Sequence, residues 1–161
     1  MVRWRFWKKG ADASENRNLL NMNQKNARMH YNQKNYQLAE PYLLRILENE
    51  PDNEWALDVH SRLMMNTNRF EDAIPLINKL LIMDGARNQL LHRLVKCLQK
   101  SCQFDLAIST LTEMIHHSEI EEEGWDLLQL CLNKTFEREE IDNYWIELSH
   151  LNLAFPQIDI E

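Results

Sequence analysis

Six histidines, three cysteines and many acidic side chains are the groups in this sequence that could bind a metal or catalyse a reaction. None of the histidines lies in an HExxH pattern, and no cysteine–histidine spacing matches a zinc site. A GxSxG elbow, a phosphate-binding P-loop and a GxGxxG turn are all missing from the sequence. The sequence therefore predicts no catalytic site, no metal and no cofactor, and we expect a protein that is not an enzyme.

Three cations at a fixed interval offer a different chemistry, the binding of acidic groups. Arg28, Arg62 and Lys96 are separated from one another by 34 residues. Arginine can hold a carboxylate through two parallel hydrogen bonds, and a series of cations in an acidic protein suits an acidic ligand. We expect these side chains to lie on successive helices and to bind an extended acidic segment. The alternative is that Asp58 and neighbouring acids neutralise them internally.

The same interval recurs in a short motif, an aromatic residue at a polar turn followed three places later by alanine. The three pairs are Tyr36 and Ala39, Phe70 and Ala73, and Phe104 and Ala107. A fixed period of this size is typical of stacked repeats that each contain two helices. From Leu20 the chain divides into four repeats, 20–53, 54–87, 88–121 and 122–155. A basic and aromatic segment with a linker precedes them at 1–19, and a short tail follows at 156–161.

Helical periodicity predicts which side chains of each repeat are buried. The first helices of the later repeats bury Leu57, Ser61 and Met64, then Leu91, Val95 and Leu98, then Trp125, Gln129 and Leu132. The second helices are predicted to begin near Tyr36, Phe70, Phe104 and Arg138. They bury Ala39, Leu43 and Ile46, then Ala73, Ile77 and Leu80, then Ala107, Leu111 and Met114, then Ile141, Trp145 and Leu148. Pro41 and Pro75 are expected in the first turns of their helices, where the missing N–H is tolerated.

These residues resemble the tetratricopeptide repeat (TPR) family over about 20–155. The recurring alanines, the large residues after them and Pro51 match the family pattern W-x2-L-G-x2-Y…A-x3-F…P. The sequence departs from the pattern at the glycine of the first helix, which is replaced by Ala27, Ser61 and Val95. The fourth repeat is degenerate, with Arg138 and Ile141 at the places of the aromatic residue and the alanine. The resemblance implies an all-α fold, an α-solenoid of antiparallel helix pairs in a right-handed superhelix.

The resemblance also implies a concave groove, lined by the first helices, that binds a peptide or another protein. The predicted groove residues are Arg28, Tyr31, Trp55, Arg62, Met65, His92, Arg93 and Lys96. Tyr31, Trp55 and Met65 are the predicted apolar anchors, because aromatic residues and methionine are enriched at interfaces. The resemblance thus implies an interaction scaffold or adaptor. The alternative is a docking or oligomerisation domain of a larger bacterial membrane-associated enzyme, for example in glycan biosynthesis.

The net charge of −7 is unevenly distributed. Residues 1–10 carry four cations and no acid, whereas residues 119–161 carry twelve acids against two cations. The overall acidity argues against nucleic acid as a partner. The basic beginning and acidic end favour head-to-tail self-association, supported by an apolar stripe on the last helix that no later helix covers: Ile141, Trp145, Leu148 and Leu151.

Residues 1–9 alternate cations with large aromatic side chains, a pattern suited to the surface of an anionic membrane. The other interpretation is that these aromatics fold back onto the first helices. No apolar run approaches the ~20 residues of a spanning helix. Cys97, Cys102 and Cys131 form no disulfide pattern and are predicted to be reduced and largely buried. We expect a cytoplasmic protein, with peripheral membrane contact as an open alternative.

Overall fold

A computed structural model describes residues 3–84, 88–117, 120 and 122–150, with side chains from Ser14 onward except at Asp84. Eight α-helices and no β-strand occupy this described part of the chain. Their bounds are α1 Arg3–Asn32, α2 Tyr36–Asn49, α3 Glu54–Asn66, α4 Phe70–Asp84, α5 Asn88–Lys100, α6 Phe104–His116, α7 Glu122–Thr135 and α8 Arg138–Ser149. The all-α prediction is confirmed, and all four second helices begin at the predicted residues.

The chain forms two compact units, Met1–Arg69 and Phe70–Glu161. In the first unit, α2 packs against both α1 and α3. In the second unit, α5 packs against α4 and α6, α7 packs against α5 and α6, and α8 packs against α7. The first helix of a repeat therefore contacts the second helix of the preceding repeat, as α3, α5 and α7 each show.

The turns inside the first three repeats share one backbone geometry. Lys34, Asn68 and Cys102 each have a φ of 59°, in the left-handed region. In the first turn, the N–H of Asn35 donates to the carbonyl of His30 at 2.9 Å, and the N–H of Lys34 donates to the carbonyl of Tyr31 at 2.9 Å. This pair of bonds is a Schellman motif, which usually has glycine at the left-handed position because a Cβ is crowded there.

The alanines and the second-helix stripes form the core, as the periodicity predicts. Ala39, Ala73 and Ala107 are fully buried. The other buried residues of the predicted second-helix stripes are Leu43, Ile46, Ile77, Leu80, Leu111, Met114, Ile141 and Leu148. Of the first-helix residues predicted to be buried, seven are buried and two, Leu91 and Gln129, are half-buried. The seven are Leu57, Ser61, Met64, Val95, Leu98, Trp125 and Leu132.

The first repeat has a more polar core than the others. Asn23 and His30 of α1 occupy the places that Leu57 and Met64 fill on α3. Asn23 is only 2% exposed, and its Oδ1 accepts no hydrogen bond from the described groups. The ring of His30 stacks on Tyr42 with 5.8 Å between the ring centroids, and its Nδ1 is buried without a described partner. At these two places the first repeat therefore has polar side chains, whereas the second repeat has apolar ones.

Two prolines lie deeper in their helices than predicted. Pro41 and Pro75 are the sixth residues of α2 and α4, in the second turn rather than the first. Each helix begins at the aromatic residue of the motif, as predicted, but the proline follows five places later, so the first-turn prediction was wrong. Each proline therefore removes one hydrogen bond from the helix interior.

The cysteines and the last helix depart from the predictions in part. Cys97 and Cys131 are buried, and burial raises the pKa of the Cys97 thiol to about 11, whereas Cys102 is exposed.

Ile141 and Leu148 of α8 are buried, and the Trp145 ring lies 6.2 Å from that of Trp125 on α7. The prediction that this stripe is uncovered is therefore wrong for these residues, because it packs toward α7. Leu151 lies outside the described residues.

Helix α1 begins at Arg3, so residues 10–18, which the polar sequence predicts to be a linker and helix start within the segment 1–19, are helical. One glycine and no proline interrupt this stretch, which otherwise consists of residues that a helix accepts. The prediction of membrane contact concerns residues 1–9, whose side chains lie outside the described part. Gly85, which the sequence predicts to end the second helix of the second repeat, also lies outside it. No described helix is long and apolar enough to cross a membrane.

Candidate interaction surface on the first helices

The predicted binding residues divide between the two compact units. The first unit contributes five of them, here named the α1–α3 face: Arg28 and Tyr31 on α1, with Trp55, Arg62 and Met65 on α3. Tyr31, Trp55 and Met65 are half-buried, and both arginines are exposed. The second unit contributes His92, Arg93 and Lys96, all on α5.

Arg28 is held by an aromatic ring of the neighbouring first helix. Its guanidinium carbon lies 5.6 Å from the centroid of the Trp55 ring. A cation over a ring gains about 0.5–1 kcal/mol at an exposed site. Because the ring carries no counter-charge, the guanidinium N–H donors can still bind a carboxylate through two hydrogen bonds. Trp55 therefore positions Arg28 without neutralising its charge.

Tyr31 joins the two helices of this face. Its hydroxyl accepts a hydrogen bond from Nδ2 of Asn66 at 3.1 Å, and its ring packs edge-on against Tyr36 with 5.6 Å between centroids. Burial raises the pKa of the Tyr31 hydroxyl, so the group is neutral at physiological pH. Tyr31 thus braces α1 against α3 beside the arginines.

Arg62 is paired with a carboxylate on its own helix. Its Nη2 lies 3.1 Å from Oδ2 of Asp58, and its Nε donates to Oδ1 of the same residue at 3.3 Å. The two residues are four apart, so they are neighbours on one side of α3. The alternative that Asp58 neutralises a member of the cation series is therefore confirmed for Arg62.

Lys96 has an internal partner as well, on the next first helix. Its Nζ lies 2.6 Å from Oε1 of Glu123, an exposed residue in the first turn of α7. The hydrogen bond from Lys96 lowers the pKa of the Glu123 carboxyl. Of the three cations, two are thus paired with carboxylates and Arg28 is stacked on a ring.

His92 and Arg93 direct polar atoms into the protein. Both ring nitrogens of His92 are buried and have no hydrogen-bond partner among the described groups. A Cβ added to Gly124 of α7 would lie 3.2 Å from Cε1 of His92, so this ring is enclosed where α7 begins. Nη1 of Arg93 is also buried. These two residues are less accessible to a partner than the arginines of the α1–α3 face.

Sequence reasoning missed Asn66 and Glu123, although the repeat carried a signal for both. Each contacts a residue on the adjacent first helix, Tyr31 and Lys96 respectively, at a separation of about one repeat. Pairing polar residues 27 to 35 places apart on successive first helices would have proposed both contacts. In the described part of the chain, no group of three or more His, Cys, Asp or Glu residues could hold a metal ion.

Solved structures with the same fold include MamA, a TPR-fold protein. One MamA crystal structure matches with a TM-score of 0.67 and 14% identity, over 83% of this chain and 73% of that chain. MamA from Desulfovibrio magneticus RS-1 matches with a TM-score of 0.62 and 13% identity over the same shares. The TPR domain of Sgt2 from Aspergillus fumigatus matches with a TM-score of 0.55 and 14% identity, over 88% of each chain. Neither a protein-family model nor a curated protein matches the sequence.

The helix pairs, the buried alanines and these similarities define a helical-repeat protein. Its fold is the TPR fold, as the 34-residue period predicts. Because these proteins share only 13 to 14% sequence identity with this chain, the similarity is one of fold.

Proposed function

We propose that this chain is an interaction scaffold that binds an extended acidic segment of another protein on its α1–α3 face. The observation that carries this proposal is the stacking of exposed Arg28 on Trp55, with exposed Arg62 on the same face. Two cations held on adjacent helices can bind two carboxylates of one extended chain. The TPR fold supports this proposal, because its first helices are the elements that the family uses to bind peptides.

The two arginines contribute differently to this binding. The donors of Arg28 can engage a carboxylate directly, since its described contact is a ring. Arg62 must exchange Asp58 for the incoming carboxylate, and this exchange costs little because an exposed pair four residues apart contributes only about 0.3–0.5 kcal/mol. Tyr31 and Met65, each three residues after an arginine on the same helix, supply half-buried apolar surface one turn further along.

The second compact unit offers a further cation at Lys96, with His92 and Arg93 on the same helix. A partner carboxylate at Lys96 must displace Glu123, whose contact with Nζ is short. We therefore assign the larger part of the binding energy to the α1–α3 face. The scaffold carries out no reaction of its own, and its net charge of −7 disfavours nucleic acid as the partner.

The test is affinity capture from an extract of the source organism, followed by cross-linking to map the bound segment. The wild type is compared with Arg28→Glu, with Arg62→Glu and with the control Arg45→Glu. Arg45 is a matched control because it is exposed on α2 and its guanidinium lies 5.8 Å from the Tyr42 centroid. All three substitutions change the net charge equally.

We expect the wild type and Arg45→Glu to capture the same acidic segments. Arg28→Glu and Arg62→Glu should lose them while keeping helix content and melting temperature nearly unchanged. Capture that survives both substitutions, or bound segments that are not acidic, would contradict the proposal.

A further inference from the structure

Helix α1 has a second exposed surface, separate from the α1–α3 face. Its apolar members are Leu19, Met22 and Met29, which are 47%, 53% and 45% exposed. With Asn26, which is half-buried, they recur at i, i+3, i+7 and i+10, so they line one side of the helix. This set of four residues is named the leading face of α1.

The places equivalent to Met22, Asn26 and Met29 are all buried on the later first helices. These places are Ala56, His60 and Leu63 on α3, Leu90, Leu94 and Cys97 on α5, and Gly124, Leu128 and Cys131 on α7. Each of these helices packs against the second helix of the preceding repeat, α2, α4 and α6 respectively. The leading face therefore corresponds to the surface on which a first helix receives a second helix.

Helix α8 is the second helix of the fourth repeat, and it has an exposed surface at places that are covered on the second helix of the preceding repeat. Its Asp142, Ile146 and Ser149 stand 34 residues after Ile108, Thr112 and Ile115 of α6. Ile108 and Ile115 are buried on α6, a helix that packs against α5 and α7. Thr112 is half-buried, and its hydroxyl is hydrogen-bonded to that of Tyr144 on α8. On α8 all three equivalents are exposed, and Ile146 is 57% exposed. We name Asp142, Ile146 and Ser149, with exposed Glu139, the trailing face of α8.

The charges of the two helices favour contact between them. The described side chains of α1 include three cations against one acid: Arg17, Lys25 and Arg28 against Glu15. Helix α8 has four acids against one cation: Glu139, Glu140, Asp142 and Glu147 against Arg138. Opposite charges favour the pairing of α1 with α8, whereas α1 with α1 or α8 with α8 would place like charges together.

We propose that the leading face of α1 is the docking site for α8 of a second copy of this chain. The contact repeats between two copies the packing of a second helix on the next first helix that α2 with α3, α4 with α5 and α6 with α7 show within one copy. It uses two different surfaces, so a copy bound through α1 still presents its α8 to a further copy, and the assembly grows with concentration. A single pair of helices buries little area, so the association is weak and reversible.

The test measures mass by light scattering over a wide range of protein concentrations, for the wild type and two blocked variants. The leading-blocked variant is Met22→Glu/Met29→Glu, and the trailing-blocked variant is Asp142→Lys/Ile146→Lys. All four positions are exposed, which spares the core. Circular dichroism checks that each variant keeps the helix content of the wild type.

The wild type should gain mass as its concentration rises, and each blocked variant alone should stay monomeric. An equimolar mixture of the two variants should form a one-to-one dimer and nothing larger. This follows because the leading-blocked copy contributes an intact α8 and the other contributes an intact α1.

A wild type that stays monomeric at every concentration would overturn the proposal, as would a mixture that remains monomeric. A blocked variant that dimerises by itself would show a symmetric contact instead. If a double variant fails to fold, Lys25→Glu and Asp142→Lys repeat the test with single exposed charges. Each of these two single substitutions should weaken self-association of the protein that carries it, and an equimolar mixture of the two variants should form dimers again. Arg62→Glu, on α3 and outside both faces, should leave self-association unchanged, so failure here is distinct from failure of the proposed function.

Discussion

Arg28 and Trp55 stack across 27 residues of sequence, and the same separation joins Lys96 to Glu123. In both cases a cation on one first helix reaches a residue on the next first helix, seven places before its own equivalent there. In the folded protein Arg28 and Lys96 therefore reach equivalent places on the next first helix, and the residue type at that place decides whether the contact is a ring or a carboxylate. A ring leaves the charge of Arg28 available, whereas a carboxylate neutralises that of Lys96.

Substituting Trp55 by glutamate should replace the contact of Arg28 with a ring by an ion pair with a carboxylate, like that between Lys96 and Glu123. We expect Trp55→Glu to weaken binding of the acidic segment about tenfold or more, which corresponds to a loss of ~1.4 kcal/mol. Trp55→Phe keeps a ring and should retain most of the affinity. Fluorescence anisotropy with the captured segment measures both. Equal losses for the two variants would show that the Trp55 ring contributes shape alone.

Removing the internal competitor of Arg62 should strengthen the same binding. Asp58→Asn leaves Arg62 without the paired charge, and we expect about a two-fold gain in affinity, the size of an exposed pair on a helix. Glu48→Gln, an exposed substitution on α2 with the same change of net charge, is the control. Isothermal titration in low salt measures the difference, which added salt should reduce. An affinity that falls in Asp58→Asn would mean that Asp58 positions Arg62 for the partner.

The buried amide of Asn23 should be a source of instability. Asn23→Leu places an apolar side chain where α3 has Leu57, and it removes an acceptor that is buried without a described partner. We expect a stabilisation of about 1 kcal/mol, the lower part of the range for an unsatisfied buried group, because the larger side chain must also be packed. Asn23→Asp should destabilise strongly at neutral pH, since it buries a charge. Urea unfolding measures both, and a less stable Asn23→Leu protein would indicate that the amide has a structural partner.

The left-handed turns should be improved by glycine. Lys34→Gly and Cys102→Gly relieve the Cβ crowding at φ 59°, and each should add about 0.5–1 kcal/mol after the entropy of glycine in the unfolded chain is subtracted. Asn68→Gly should gain less, because asparagine tolerates this conformation. Lys34→Ala is the control and should change little, because alanine also carries a Cβ. Thermal unfolding ranks the variants, and a gain in Lys34→Ala equal to that of Lys34→Gly would exclude backbone strain as the cause.

The contact between Lys96 and Glu123 should depend on pH. The pKa of Glu123 is lowered in the folded protein, so the contact stabilises the fold above the ordinary carboxyl pKa. That contribution is lost as the pH falls through the lowered, folded pKa. In Lys96→Met the pKa of Glu123 should rise toward its ordinary value, whereas Lys100→Met, on the same helix, should leave it unchanged. NMR titration of the Glu123 carboxyl measures this, and equal values in the wild type and Lys96→Met would refute the contact.

Much of the fold could be predicted because it depends on properties that act locally along the chain. Helix α2 begins at Tyr36 and α6 at Phe104 because a turn and an amphipathic stripe are features of neighbouring residues. Ala39 and Ala107 are buried because the period places them on the same side of equivalent helices. The prediction that Pro41 lies in the first turn was wrong although the start of α2 was predicted, because the proline lies five places after Tyr36 and a turn contains only about 3.6 residues.

The candidate site could be predicted only in outline. The residue types and the period by themselves determined that Arg28, Arg62 and Lys96 occupy equivalent places on first helices. The tertiary structure alone decided that Arg28 meets Trp55, that Lys96 meets Glu123 and that Met22 is exposed while its equivalent Leu90 is buried. The physical reason is that the partner of a long side chain and the burial of a helix face depend on which helix packs alongside. That neighbour is distant in sequence, so no local pattern of residues specifies it.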